Sequence, residues 1–173
     1  LTILFLIALV LRFYLINTNL FFGPEQGRDL LVVRDIVLSH KIILIGPRTA
    51  VDGIFHGPFY YYLAVMPFLL SKGSPVFIAY FFILINSLSV FFGYLLGKEL
   101  FNRRVGLITA FLFTFSFGAI VMSRWLSHPP LIIPISCLFF LFLAKFIKGK
   151  NYYLILTAIL LGLSGQVEFT NYL

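Results

Sequence analysis

Cysteine and charge are what this chain has least of. Its one cysteine, Cys137, lies in an apolar run, so no intrachain disulfide can form and thiol usage says nothing of compartment. Charged residues make up 11% of the 173 and acidic residues number six, too little polar surface to cover a water-soluble globule that is 61% hydrophobic. A soluble domain is excluded on that ground. Nucleotide-handling motifs are missing as well. Without a Walker loop, a zinc spacing or a Gly-rich dinucleotide turn, neither ATP-driven nor nucleotide-sugar chemistry has local support. The +7 balance would suggest nucleic acid in a soluble protein. In a membrane chain, Lys and Arg in the connecting loops report topology instead, and no nucleic-acid partner is expected.

What is present is hydrocarbon in long runs. The expected fold class is an all-α polytopic membrane protein, a single transmembrane module over 1–173. About five transmembrane helices are expected: Leu1 to Ile16, Val76 to Gly97, Val105 to Met122, Pro130 to Ile147, and Tyr152 to about Thr170. The first run is shorter than the roughly 20 residues a bilayer requires, which fits a span whose beginning is missing. With no initiator methionine and a start inside an apolar run, the chain reads as a fragment of a longer protein. The opening run also lacks the basic start and A-x-A-like site of a cleavable signal. Arg12 is read as a headgroup anchor snorkelling to the interface.

Between the first two spans lies a polar loop, 17–75. Its stretch from Phe21 to Tyr62 holds four of the six acidic residues and two of the three histidines. Pro24 followed by Glu25 and Asp29 reads as a helix start with acids in the first turn, where the macrodipole favours them. At 100° per residue, Glu25, Arg28, Asp29, Asp35 and Ser39 share one arc, and Leu30, Leu31, Val33, Val37 and Leu38 the other. This predicts an interfacial helix near 25–40, with a second near 58–71. The basic loops Lys98/Arg103/Arg104 and Lys145/Lys148/Lys150 decide the topology. With an inside N-terminus, both fall inside only if the segment after Pro58 rests in the interface and does not cross. Loop 17–75 is then outer, and so are Arg124, His128 and the end of the last span with Gln166 and Glu168.

Several residues carry a plainer reading beside a functional one. Asp52 before Gly53 is most simply a turn residue, and His56 before Gly57-Pro58 is a turn residue or a site imidazole. His128 before two prolines reads as an interfacial cap. Tyr60, Tyr61 and Tyr62 read as part of an aromatic belt. Glu168, an acid in an apolar span, is a functional candidate by default.

These residues together carry a resemblance. The chain resembles the N-terminal module of the GT-C fold glycosyltransferases that use polyprenyl-phosphate sugars, a group that includes protein O-mannosyltransferases and the lipid A aminoarabinose transferase. Glu25-Gln26-Gly27-Arg28-Asp29 stands where the group has an acidic pair opening its first outer loop. His56-Gly57-Pro58-Phe59-Tyr60 resembles its His/Lys-Pro-Pro-aliphatic segment, Ser123-Arg124 its Ser-Arg, and Leu100 to Gly106 its inner loop. Glu25 replaces the usual aspartate, Gln26 the second acid and Gly57 the first proline.

The resemblance implies a sugar donor linked to polyprenyl phosphate, a bilayer setting in the plasma or inner membrane, and transfer to an unidentified acceptor on the outer face. Such transfer requires a carboxylate to deprotonate the acceptor hydroxyl and cations for the departing phosphate. Glu25 is the candidate base. Arg124, with Arg28 and His56, is the candidate phosphate partner, since guanidinium meets phosphate bidentately. Asp52, Gln166 and Glu168 are candidate substrate contacts. No cofactor and no metal ligand set is expected, with a divalent cation requirement left open. The rival class is a transporter or flippase of lipid-linked sugars, which would place polar residues at midplane on broken helices and show internal repeats. No repeat is visible, and the charge gathers at one interface.

Overall fold

A computed structural model describes residues 1–49 and 51–168. The described residues are helical, joined by turns and two isolated bridges. In order, the helices are α1 (Thr2–Phe13), α2 (Ile16–Asn19), α3 (Pro24–Ser39), α4 (Phe59–Ser71), α5 (Pro75–Ser87), α6 (Ser89–Leu100), α7 (Arg103–Phe115), α8 (Phe117–Ser123), a 3-10 turn (Pro129–Leu131), α9 (Ile132–Ile147) and α10 (Tyr153–Val167).

Among the described residues, two rods are long and apolar enough to cross a membrane: Pro75–Leu100 at 26 residues, combining α5 and α6, and Pro129–Ile147 at 19. A third forms if α7 and α8, bent by 57° across Ser116, are one span. Helices α1, α4 and α10 are apolar but shorter. Of the five expected spans, the first and last therefore do not reach full length among the described residues. The far end of the last, 169–170, lies outside them. The architecture is that of an all-α polytopic membrane protein.

The long rod orders the rest. Ring contacts of Phe5 with Phe91 and Phe13 with Tyr80 run α1 antiparallel to it. At the far end, Lys148 Nζ meets Glu99 Oε1 at 2.9 Å, which brings the end of α6 to the end of α9 and gathers the basic loops together. At the other end, Tyr60 of α4 stacks near Phe82, with ring centroids 5.2 Å apart. Asn86, fully buried, donates to the Pro130 carbonyl at 2.8 Å. From Phe82 to Leu100 the rise is about 27 Å, close to a hydrocarbon thickness. The main core lies above this level, where Leu30 and Val33 of α3 meet Tyr60, Tyr61 and Ala64 of α4, Ile78, Ala79 and Phe82 of α5, Leu126 and Leu131.

Arg12 departs from expectation. It is fully buried, and its Nη2 donates to the Phe113 carbonyl at 2.9 Å. The physical reason is the break at Ser116, because the last four carbonyls of a helix find no amides of their own helix and α7 ends here inside the bundle. An arginine that would otherwise snorkel is drawn inward to satisfy one of them.

Candidate functional site

Helix α3 begins with Pro24 at its first position, and Gln26 Oε1 accepts from the Gly23 amide at 2.8 Å, closing the first turn. That bond turns Gln26 inward and sets the helix register. The buried face is Gln26, Asp29, Leu30 and Val33, spaced at three, four and seven residues, while Leu31 and Leu38 are exposed. The predicted arcs are therefore rotated, with Asp29 on the inner side. Asp29 tolerates this because it is partnered. Its Oδ1 accepts from the Tyr61 hydroxyl at 3.1 Å and from Arg28 Nε and Nη2 at 3.1 and 2.9 Å. Burial pushes the Asp29 carboxyl above its ordinary range, and the Arg28 bonds oppose that without overcoming it. Burial likewise raises the phenols of Tyr60 and Tyr61. The three tyrosines do not form a belt. Tyr60 is buried with its hydroxyl 3.4 Å from the Leu126 carbonyl, Tyr61 holds Asp29, and Tyr62 pins the Ile43 backbone.

The His56 loop is set by two close backbone approaches. Gly46 N donates to the His56 carbonyl at 2.9 Å, and His56 N to the Pro47 carbonyl at 2.9 Å. On its other side, Gly57 N donates to the Gln166 carbonyl at 3.1 Å, and a Cβ on Gly57 would stand 2.5 Å from Gln166 Cγ. Glycine in place of proline at 57 is explained by this contact, since proline has no amide to give and no room for its ring. The end of α10 is thereby docked on the loop that begins α4.

Three segments meet at this point. The rings of His56 and His128 lie 4.2 Å apart between centroids, and Tyr60 flanks His128 at 6.2 Å. Ser127 Oγ stands 3.3 Å from His128 Nδ1. Glu168 completes the group: one ligand-capable atom from each of His56, His128 and Glu168 lies within 4.8 Å of the others. Both histidines are buried, at 7% and 9% exposure, and His56 Nδ1 meets no hydrogen-bond partner among the described residues. Leaving such an atom unpaired costs about 1–3 kcal/mol. Burial lowers the His56 pKa, with Glu168 opposing. Burial, then the charge of His56 and of Arg28, takes His128 down to about 3, so both rings are neutral imidazoles near pH 7.

The other predicted residues are placed as follows. Glu25 is exposed in the first turn of α3, close enough to act on the charges of Arg28 and Asp29. Arg28 keeps 43% of its side chain exposed above the buried Asp29. Gln166 and Glu168 reach the cluster through Gly57 and His56. Arg124 turns the other way: its Nη2 donates to the carbonyls of Leu11 and Tyr14 at 2.7 and 3.2 Å and its Nε to Arg12 at 3.2 Å, capping the end of α1. Asp52 is exposed on the turn between Arg48 and Phe55 and is not joined to the cluster by the described contacts. Sequence reasoning missed Asp29 as a buried anchor, Tyr61 as its partner, and His128 as a neighbour of His56. The spacing of Gln26, Asp29, Leu30 and Val33 is the signal that would have found the first.

These features define a helical integral membrane protein in which His56, His128 and Glu168 meet at one end of its long rod, opposite the basic loops. Residues 55–172 match the family described as dolichyl-phosphate-mannose-protein mannosyltransferase, and the chain belongs to that family, membrane glycosyltransferases of the GT-C fold. The match takes in His56, Arg124, His128, Gln166 and Glu168, while Glu25, Arg28 and Asp52 precede it. No curated protein and no solved structure matches the chain.

Proposed function

We propose that this chain supplies the donor-binding and base-bearing part of a transferase that moves a sugar from a polyprenyl-phosphate donor to an acceptor on the outer face of the membrane. The observation that carries the reading is the juxtaposition of an exposed acid, Glu25, with a guanidinium, Arg28, held in place from below by Asp29 and Tyr61. In this reading an acceptor hydroxyl gives its proton to Glu25 and its oxygen bonds to the anomeric carbon of the sugar. The bond from that carbon to the phosphate oxygen breaks, and its electron pair leaves on polyprenyl phosphate. Arg28 receives the negative charge that develops on the phosphate. Asp29 is a positioning residue, since it acts through Arg28.

The lipid part of the donor has support of its own. An apolar cavity of about 220 Å³, lined by Phe21, Val121, Met122 and Trp125, adjoins the start of α3 and offers room for a stretch of polyprenyl tail. Arg124 next to it positions this wall, since Phe21 N donates to the Arg124 carbonyl at 3.1 Å. Gln166 is assigned to the sugar, and Asp52 has no role in this reading.

The test uses the full-length protein in liposomes, with a labelled polyprenyl-phosphate sugar and hydroxyl acceptors supplied from outside. Label on the acceptor is the expected result. Donor that crosses the bilayer with no label on any acceptor would instead make the protein a flippase.

A further inference from the structure

We propose that His56, His128 and Glu168 form a three-ligand site for a borderline divalent cation of the zinc type, with a fourth position open to a phosphate oxygen. The phosphate clause rests on the lipid-phosphate donor proposed above, and the metal site does not. The three ligands come from three separate segments: the loop before α4, the loop after α8, and the end of α10. Sequence-local packing does not bring them together; the docking of Gly57 on Gln166 and the stacking of the two imidazoles do.

The chemistry of the set selects the ion. Two imidazoles and one carboxylate suit zinc and its neighbours, whereas magnesium and calcium prefer all-oxygen shells. Three protein ligands with one open position is the pattern of zinc sites that bind water or substrate. Both rings are more than nine-tenths buried, which removes competing water, and His56 Nδ1 stands among them with no described partner. His128 is oriented from behind, with Ser127 Oγ at its Nδ1, which leaves Nε2 as its ligand nitrogen. Tetrahedral zinc at about 2.0–2.1 Å from nitrogen holds its ligand atoms about 3.3 Å apart, so atoms now within 4.8 Å close by at most about 1.5 Å.

The experiment reads metal directly, with no donor present. Full-length protein is stripped with chelator, reloaded with Zn²⁺ or Co²⁺, and its metal content and Co²⁺ absorption are measured. One equivalent per chain is expected, with the visible bands of a four-coordinate site. Affinity should fall at least 100-fold in His56→Gln and in His128→Gln, at least tenfold in Glu168→Gln, and stay unchanged in Asp35→Asn, an exposed acid of α3. A wild-type protein that holds less than about a tenth of an equivalent overturns the site, as do monodisperse histidine variants that bind like wild type. Should a variant fail to fold, X-ray absorption on the zinc-loaded wild type decides: two imidazoles in the shell support the assignment and none refutes it. Inorganic phosphate and a polyprenyl monophosphate are then titrated separately against the Co²⁺ bands. Both should shift them, the lipid at lower concentration, and no shift with either removes the open position. Metal bound by a protein that transfers no sugar would sink the transferase reading and leave the site standing.

Discussion

Glu25→Gln lowers the rate of sugar transfer by the full-length enzyme about 10²- to 10⁴-fold, the span expected when a positioned general base is lost. Glutamine keeps the length and shape of the side chain but cannot take a proton. The helix start tolerates the change, because Pro24 at the first position and the Gln26 side chain on the Gly23 amide close the turn without Glu25. Binding of donor should change little, since the phosphate meets Arg28. The signature is therefore a fall in kcat with KM for the donor nearly constant. Asp29→Asn should give a different pattern, a rise in donor KM, because it loosens Arg28 and leaves the base in place. If Glu25→Gln transfers at the parental rate, Glu25 is not the base.

Gly46→Ala should be the most damaging single methyl in the polar region. A Cβ there would stand 2.0 Å from the Gly57 carbonyl oxygen and 2.5 Å from its carbon, with the His56 oxygen at 2.8 Å. All three obstacles are backbone, so no rotamer relieves them. The loop segment carrying His56 must move, and it is already held from the far side by Gln166. Overpacking of this kind typically costs about 1–3 kcal/mol, and the absence of any soft neighbour puts this case at the upper end. Displacing His56 also separates it from His128 and Glu168. The expected outcome is a clear drop in melting temperature of the detergent-solubilised protein, with transfer largely lost. An alanine variant that melts with the wild type would show that the approach of the two glycines is looser than the structure gives it.

The spans were legible in the sequence because hydrocarbon length is a one-dimensional property. Runs from Val76, Val105 and Pro130 can be counted without knowing what they touch. The residues of the site were legible in part, for the same reason that polar groups stand out against such a background. Glu25, Arg28, His56, Gln166 and Glu168 could be singled out as candidates, Glu25 only with the weight of the family resemblance behind it. Their orientation could not be read. The face of α3 is decided by Gln26 turning in to cap its own helix and by a tyrosine hydroxyl 32 residues away, neither of which an average over apolar positions can register. Arg12 was misplaced because its burial depends on a break in α7, a helix 90 residues later in the chain. The pairing of His56 with His128 needed the loop after α8 to fold back over α4, a contact with no local trace. The glycine that stands for proline at 57 looked like a departure from the family pattern and has a steric reason in Gln166.

In the proposed topology the segments bearing Glu25 and His56 face one side of the membrane and the basic loops the other, with the aromatic helix α4 resting at the interface. Cys137 is buried, which makes labelling of introduced cysteines clean once it is replaced by serine. Single cysteines at Glu25 and Asp52, both exposed, are compared with single cysteines at Arg103 and Lys150 in intact cells, using a reagent that does not cross the bilayer. The first pair should react at once and the second only after permeabilisation. Reaction of Glu25 and Lys150 from the same side would contradict it.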